Sequence, residues 1–95
     1  MLEVCVDSID GVIAAMKGGA ARVELCSSLS EGGLTPSAGL MRAAAVLPVP
    51  CYAMIRPRSG LFEFSDAEAK VMLDDIAMVH EAGLAGVVLG AQNAD

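Results

Sequence analysis

Apolar positions along the chain fall into two alternating patterns. Leu2–Val6, Val23–Cys26, Cys51–Ile55 and Gly86–Leu89 are short, mostly aliphatic runs and read as strands. Between them lie longer stretches with apolar residues at helical spacing. Ser8 caps a predicted helix over Ile9–Lys17, with Val12, Ile13 and Met16 on one face and Gly18-Gly19 ending it. Thr35 and Pro36 read as the cap and first turn of a second helix, which runs to about Val46 and is stopped by Pro48 and Pro50. Ser65-Asp66-Ala67-Glu68 has the capping-box form and opens a third. Its predicted buried stripe is Ala69, Met72, Ile76 and Val79, with Leu73 beside it and Gly83 as the residue that ends the helix. Ser27–Pro36 and Arg56–Phe64 are loops.

The order β-α-β-α-β-α-β predicts crossover connections and a parallel sheet. Two internal echoes support a repeat. Gly19–Leu25 resembles Gly83–Leu89, and Glu3-Val4-Cys5 resembles Glu24-Leu25-Cys26. Repeated βα units of this size suggest a (β/α)8 barrel, of which 95 residues hold about the first three and a half units. Residues 1–95 are then a single partial barrel domain, and Ala91–Asp95 stand where a fourth helix would begin. A complete four-stranded open α/β domain is the alternative.

With 55% hydrophobic and 19% charged residues the chain is not disordered, and with 3% aromatics its core rests on aliphatic side chains, Ala and six Met. A net charge of −6 removes the basic footprint that nucleic acid or an anionic membrane requires. No apolar run approaches the ~18 residues of a membrane span. Met1–Asp7 lacks a basic stretch and so does not read as a signal peptide. Three widely spaced cysteines are not a disulfide framework and suit a reducing cytoplasm.

Strand alternation sorts the polar residues. Glu3 and Cys5 share a face, as do Arg22, Glu24 and Cys26, while Leu2, Val4, Val6, Val23 and Leu25 take the other. The apolar set must meet the helices, so the polar set lines the barrel interior. Arg56 shares the parity of Tyr52 and Met54 and joins it if Ala53 and Ile55 face the helices; Cys51 has the opposite parity and reads as packing. Buried charges must pair, so Glu24 is expected to contact Arg56 or Arg22. That layer reads either as structural ion pairs or as a site, since barrel sites lie where strands end. As a site, Glu3 or Glu24 would act as acid and base, with Arg56 and Arg58 as anion clamps. The Gly32-Gly33 turn before the second helix allows close backbone approach to an anion, or is an ordinary βα turn. His80 is read as solvent-facing, Met41, Met72 and Met78 as core, and Glu63, Asp66, Asp74 and Asp75 as a solvated face.

Five segments together resemble the CutC copper homeostasis family: Leu2–Ser8, Gly18–Ala20, Arg22–Ser27, Glu31–Ser37 and Ile55–Arg58. The resemblance implies a TIM barrel of which this chain is the N-terminal portion, a cytoplasmic role in copper homeostasis, and two cysteine ligands for Cu(I). Those ligands fall on Cys5 and Cys26. The family's usual Arg-Pro-Arg-Gly-Gly run reads Arg56-Pro57-Arg58-Ser59-Gly60 here. Thiolates are the soft donors that select Cu(I), and nearby Arg22 or Arg56 would favour the thiolate while Glu3 and Glu24 oppose it. The alternative for both cysteines is that of small buried hydrophobes. The alternative function is that of a barrel enzyme acting on a small anionic metabolite. The expected partner is the copper ion. Two open sheet edges point to a homo-oligomer or to dependence on a C-terminal half.

Overall fold

The computed structural model describes residues 2–89. Its elements in order are β1 (Glu3–Val6), α1 (Ile9–Lys17), β2 (Arg22–Leu25), a single 3-10 turn (Leu29–Glu31), α2 (Ala38–Ala45), β3 (Cys51–Ile55), α3 (Asp66–Ala82) and β4 (Gly86–Leu89). The four strands form one parallel sheet in the order β1-β2-β3-β4. The fourth helix expected from Ala91 lies outside the described residues.

The apolar strand face and the helices make the core. Val6, Val12, Val23, Leu25, Ala44, Val49 and Cys51 form one cluster beneath α1 and α2. Met41, Ala53, Ile55 and Val79 form another between α2 and α3. Nine residues are marginal for a helix in water, so α1 depends on burying Val12 in this layer. Cys51 is core packing, its thiol donating to the Val49 carbonyl at 3.4 Å. Met41 is fully buried and Met72 and Met78 pack around it. His80 is exposed, as expected. Among the described residues no helix is long and apolar enough to cross a membrane.

The turn chemistry repeats where the sequence echoes. Gly19 and Gly83 both hold positive φ, +90° and +88°, and two residues on Ala21 and Ala85 donate to Leu2 and Cys51 of the neighbouring strand at 2.8 and 2.9 Å. The same device thus launches β2 and β4. Ser65 and Glu68 form the expected capping box of α3, each side chain accepting from the other's backbone N–H.

Three local expectations need correction. The cap of α2 is Ser37, whose hydroxyl accepts from the Leu40 N–H at 3.1 Å. Thr35 cannot serve, because its hydroxyl is held by the Arg56 backbone, accepting from the N–H at 2.8 Å and donating to the carbonyl at 3.1 Å. On α3, Ala69 and Leu73 are exposed, and the packed positions are Met72, Ile76, Met78, Val79 and Ala82. Finally, β2 begins one residue early, at Arg22, because that residue pairs with Glu3.

Candidate functional site

Register partners in a parallel ladder present their side chains on one face. Glu3 pairs with Arg22, Cys5 with Glu24, Glu24 with Tyr52, Tyr52 with Gly86 and Met54 with Val88. These residues line the face turned away from the helices, and Cys26 and Arg56 continue it beyond the ends of β2 and β3. The opposite parity, Val23, Leu25, Ala53 and Ile55, is fully buried against the helices.

The lowest row of this face is structural. Arg22 forms an ion pair with Glu3 and lies 4.6 Å from the centroid of the Tyr52 ring. The ring in turn covers Gly86, where an added Cβ would meet it at 3.0 Å. Glu3 is therefore committed to Arg22.

One row higher, the exposed Cys5 thiol donates to Glu24 Oε1 at 3.4 Å. Glu24 has no ion pair with either arginine, contrary to the expected contact. The register explains this. Arg22 stands opposite Glu3, and Arg56 lies four residues beyond Tyr52, roughly 13 Å along the strand from the level of Glu24. Glu24 is left as an inward carboxylate whose bonded neighbour is a thiol.

The echo of Glu3-Val4-Cys5 in Glu24-Leu25-Cys26 puts the two cysteines at equivalent positions, but the register does not. Cys5 faces Glu24, and Cys26 lies two residues further on, giving a Cα separation of roughly 8 Å in regular geometry. They are diagonal neighbours on adjacent strands and one face. Cys26 is buried, its thiol donating to the Val6 carbonyl at 3.6 Å. Burial chiefly, then the charges of Asp7, Cys5 and Glu24, push its pKa up to about 11. Cys5 is raised as well, by burial first and then by its hydrogen bond to Glu24. Both thiols are therefore protonated at neutral pH, and the arginines do not offset the carboxylates. Cys26 also borders a cleft of about 370 Å³ between the first turns of α1 and α2, beside Asp7, Ser8, Ser27 and Ser37.

At the top of the face Arg56 is buried, yet it meets no carboxylate. It donates to the carbonyls of Glu31 (3.1 Å), Gly33 (3.4 Å) and Gly60 (3.2 Å), and stacks 4.6 Å over the centroid of Phe62. Its Nε is buried without a hydrogen-bond partner. Arg58 spends all five of its N–H donors: two on the Glu68 carboxylate, and the others on the carbonyls of Ser59, Leu61 and Glu63. It stacks on Phe64 as well. No donor of Arg58 remains for an anion. It ties the Arg56–Phe64 loop to the capping box of α3, and its guanidinium, with the Ser65 N–H, holds the Glu68 carboxyl below its usual range.

Gly32 and Gly33 both hold positive φ, +89° and +94°. A Cβ on Gly32 would meet the Arg56 guanidinium at 3.1 Å. One on Gly33 would meet Met54 Sδ at 3.0 Å and Cys26 Cβ at 3.4 Å. What needs the glycines is close approach to the protein's own side chains. The loop, pinned by paired backbone hydrogen bonds between Ser27 and Leu34, arches over Cys26 and Met54. Phe62 and Phe64 shape this region without having been singled out from the sequence, where Thr35 and Glu68 were read only as capping residues and Met54 only by its strand parity. For Met54 the signal was present, since it shares the parity of Arg56. Among the described residues no three His, Cys, Asp or Glu side chains gather as a metal-holding group. The soft donors on this face are sulfurs, and their chemistry suits Cu(I).

Comparison with known proteins agrees with this architecture. The family model described as CutC family matches residues 1–95. A CutC family protein of Sinorhizobium medicae is 63% identical over the whole chain, and one of Vibrio cholerae is 58% identical over 99% of it. The chain spans 39% and 37% of those relatives' lengths. A crystal structure of CutC from Streptococcus agalactiae, a protein named for copper homeostasis, superposes with a TM-score of 0.85 at 33% identity, covering 94% of this chain and 45% of that one. The chain belongs to the CutC family, and its four-stranded parallel sheet is the N-terminal part of a TIM-type barrel.

Proposed function

We propose that this protein binds Cu(I) for copper homeostasis in the cytoplasm, with Cys5 and Cys26 as ligands. The observation that carries the reading is the placement of both thiols on one face of adjacent parallel strands, with Cys5 open to solvent. Glu24 completes the chemistry. A thiol must lose its proton to ligate a metal, and Glu24 Oε1 already accepts the Cys5 S–H. Copper is the cargo here, and a reducing compartment keeps Cys5 and Cys26 free for it.

Anaerobic Cu(I) titration against a coloured chelator tests this. Cys5→Ser and Cys26→Ser should each weaken binding by about 100-fold or more, beyond the roughly 10–100-fold that losing an outer-shell partner costs. Equal affinity in parent and both variants overturns the reading. Because both thiols start protonated, affinity should also rise steadily from pH 6 to pH 8. A flat profile would mean that no thiol proton is displaced.

A second reading is a barrel enzyme acting on a small anionic metabolite. It is favoured by Glu24, an inward carboxylate with no basic partner among the described residues, and by the unpartnered Nε of Arg56. Arg58 is not part of it, since its donors are spent. An anion bound against Arg56 in a crystal of the whole barrel supports this reading; weaker Cu(I) binding in the two cysteine variants supports the first.

A further inference from the structure

We propose that Met54 supplies a third sulfur to the Cu(I) site, its thioether joining the thiols of Cys5 and Cys26 beneath the Gly32-Gly33 arch. This rests on the reading of Cys5 and Cys26 as ligands.

Register brings the third sulfur into place. Leu25 pairs with Ala53, so the next residues on the two strands, Cys26 and Met54, stand opposite one another. Both occupy the face turned from the helices. Gly33 shows how near they come. A single point, the position of its absent Cβ, lies 3.0 Å from Met54 Sδ and 3.4 Å from Cys26 Cβ. The arch closes over the thioether and the cysteine together, and only hydrogen fits between.

The helix-side core does not use this methionine. The β3 residues that build the core are Cys51, Ala53 and Ile55, and Met54 belongs to neither core cluster. It is half-buried on a face it shares with Tyr52 of β3 and with Arg56 just beyond the strand's end. Its thioether is soft, uncharged and free of any proton to displace. Charge favours such a donor. Two thiolates around Cu(I) leave one negative charge close to Glu24 and Asp7, whose charges already reach Cys26. A neutral sulfur completes a three-coordinate ion without adding to that charge.

The test uses the full chain labelled with selenomethionine and loaded anaerobically with Cu(I). X-ray absorption at the selenium edge should show a directly bonded copper neighbour, and the copper edge should show a mixed sulfur and selenium shell. Met54→Leu should remove the selenium–copper signal and lower Cu(I) affinity by at least the roughly tenfold that losing a supporting partner costs. If Met54→Leu does not fold, the selenium edge of the unsubstituted chain decides alone. A selenium edge without copper overturns the proposal. If Cys5→Ser and Cys26→Ser still weaken binding, the two-thiol reading survives that result. If those variants bind like the parent, the two-thiol reading falls, and the three-sulfur site falls with it.

Discussion

A hydrogen atom on Gly33 decides how the Ser27–Pro36 loop meets the sheet. Gly19 and Gly33 have nearly the same φ, +90° and +94°, but a Cβ on Gly19 would meet open space where one on Gly33 would meet Met54 and Cys26. Alanine at either site carries the positive-φ cost of about 1–3 kcal/mol. Gly33→Ala should destabilise the chain more than Gly19→Ala in urea melts, and equal losses would show that the arch does not press on Met54. The thiols should differ in reactivity. All three thiols have raised pKa values, but Cys5 is exposed whereas Cys26 and Cys51 are buried. Iodoacetamide at pH 8 should label Cys5 in the native chain, and the other two in denaturant, as mass spectrometry of digests would read. Glu68 gives a pH signature. Its folded pKa is lowered, so the stability it contributes is present above the ordinary value of 4.5 and is lost as pH falls through the folded value. Arg58→Gln should flatten that acid limb of the melting profile; an unchanged limb would assign it to other carboxylates. Which residues face inward could be read from strand alternation. Which of them bond to one another could not, because a shift of two residues in register exchanges Glu24's partner and leaves the face unchanged.

Helix starts were legible where the capping residue has no competing partner. Ser8 and Ser65 cap α1 and α3 as their sequences indicate. For α2 the Thr-Pro pair has the look of a start, but Thr35 is claimed by Arg56, which lies 21 residues further along the chain. Nothing local carries that information. Ser37→Ala should therefore cost the usual ~1 kcal/mol of a lost cap. Thr35→Val should act differently, freeing the Arg56 backbone and the arch, so that protease cleavage within Ser27–Pro36 accelerates. Equal effects of the two substitutions on helix content alone would put the cap back at Thr35. The strands were legible because each of the three connections between them carries a helical pattern that contrasts with the short apolar runs. The exposed Leu73 and Val71 of α3 break the stripe, at 67% and 50% exposure, and the periodicity of one helix cannot say which flank its neighbours leave open.

At the scale of the whole molecule, β1 and β4 are the edges of the sheet among the described residues, and Cys5 on the face turned from the helices is exposed. Sheet edges template association. The 95-residue chain alone should sediment as dimers or larger species, or melt without a sharp transition. A monomer with a cooperative transition above ~60 °C would instead mark a self-sufficient open sheet. The strand order adds a temporal consequence. Each strand lies beside the one made just before it, so a ribosome releases every new strand next to a partner already waiting. Growth can proceed by accretion, one βα unit at a time, with no strand held back for a later neighbour except the outer edge of the first. The sulfur-bearing face is assembled in the same sequence, Cys5 first, then Cys26, then Met54, so a nascent chain acquires its soft donors in the order in which it emerges.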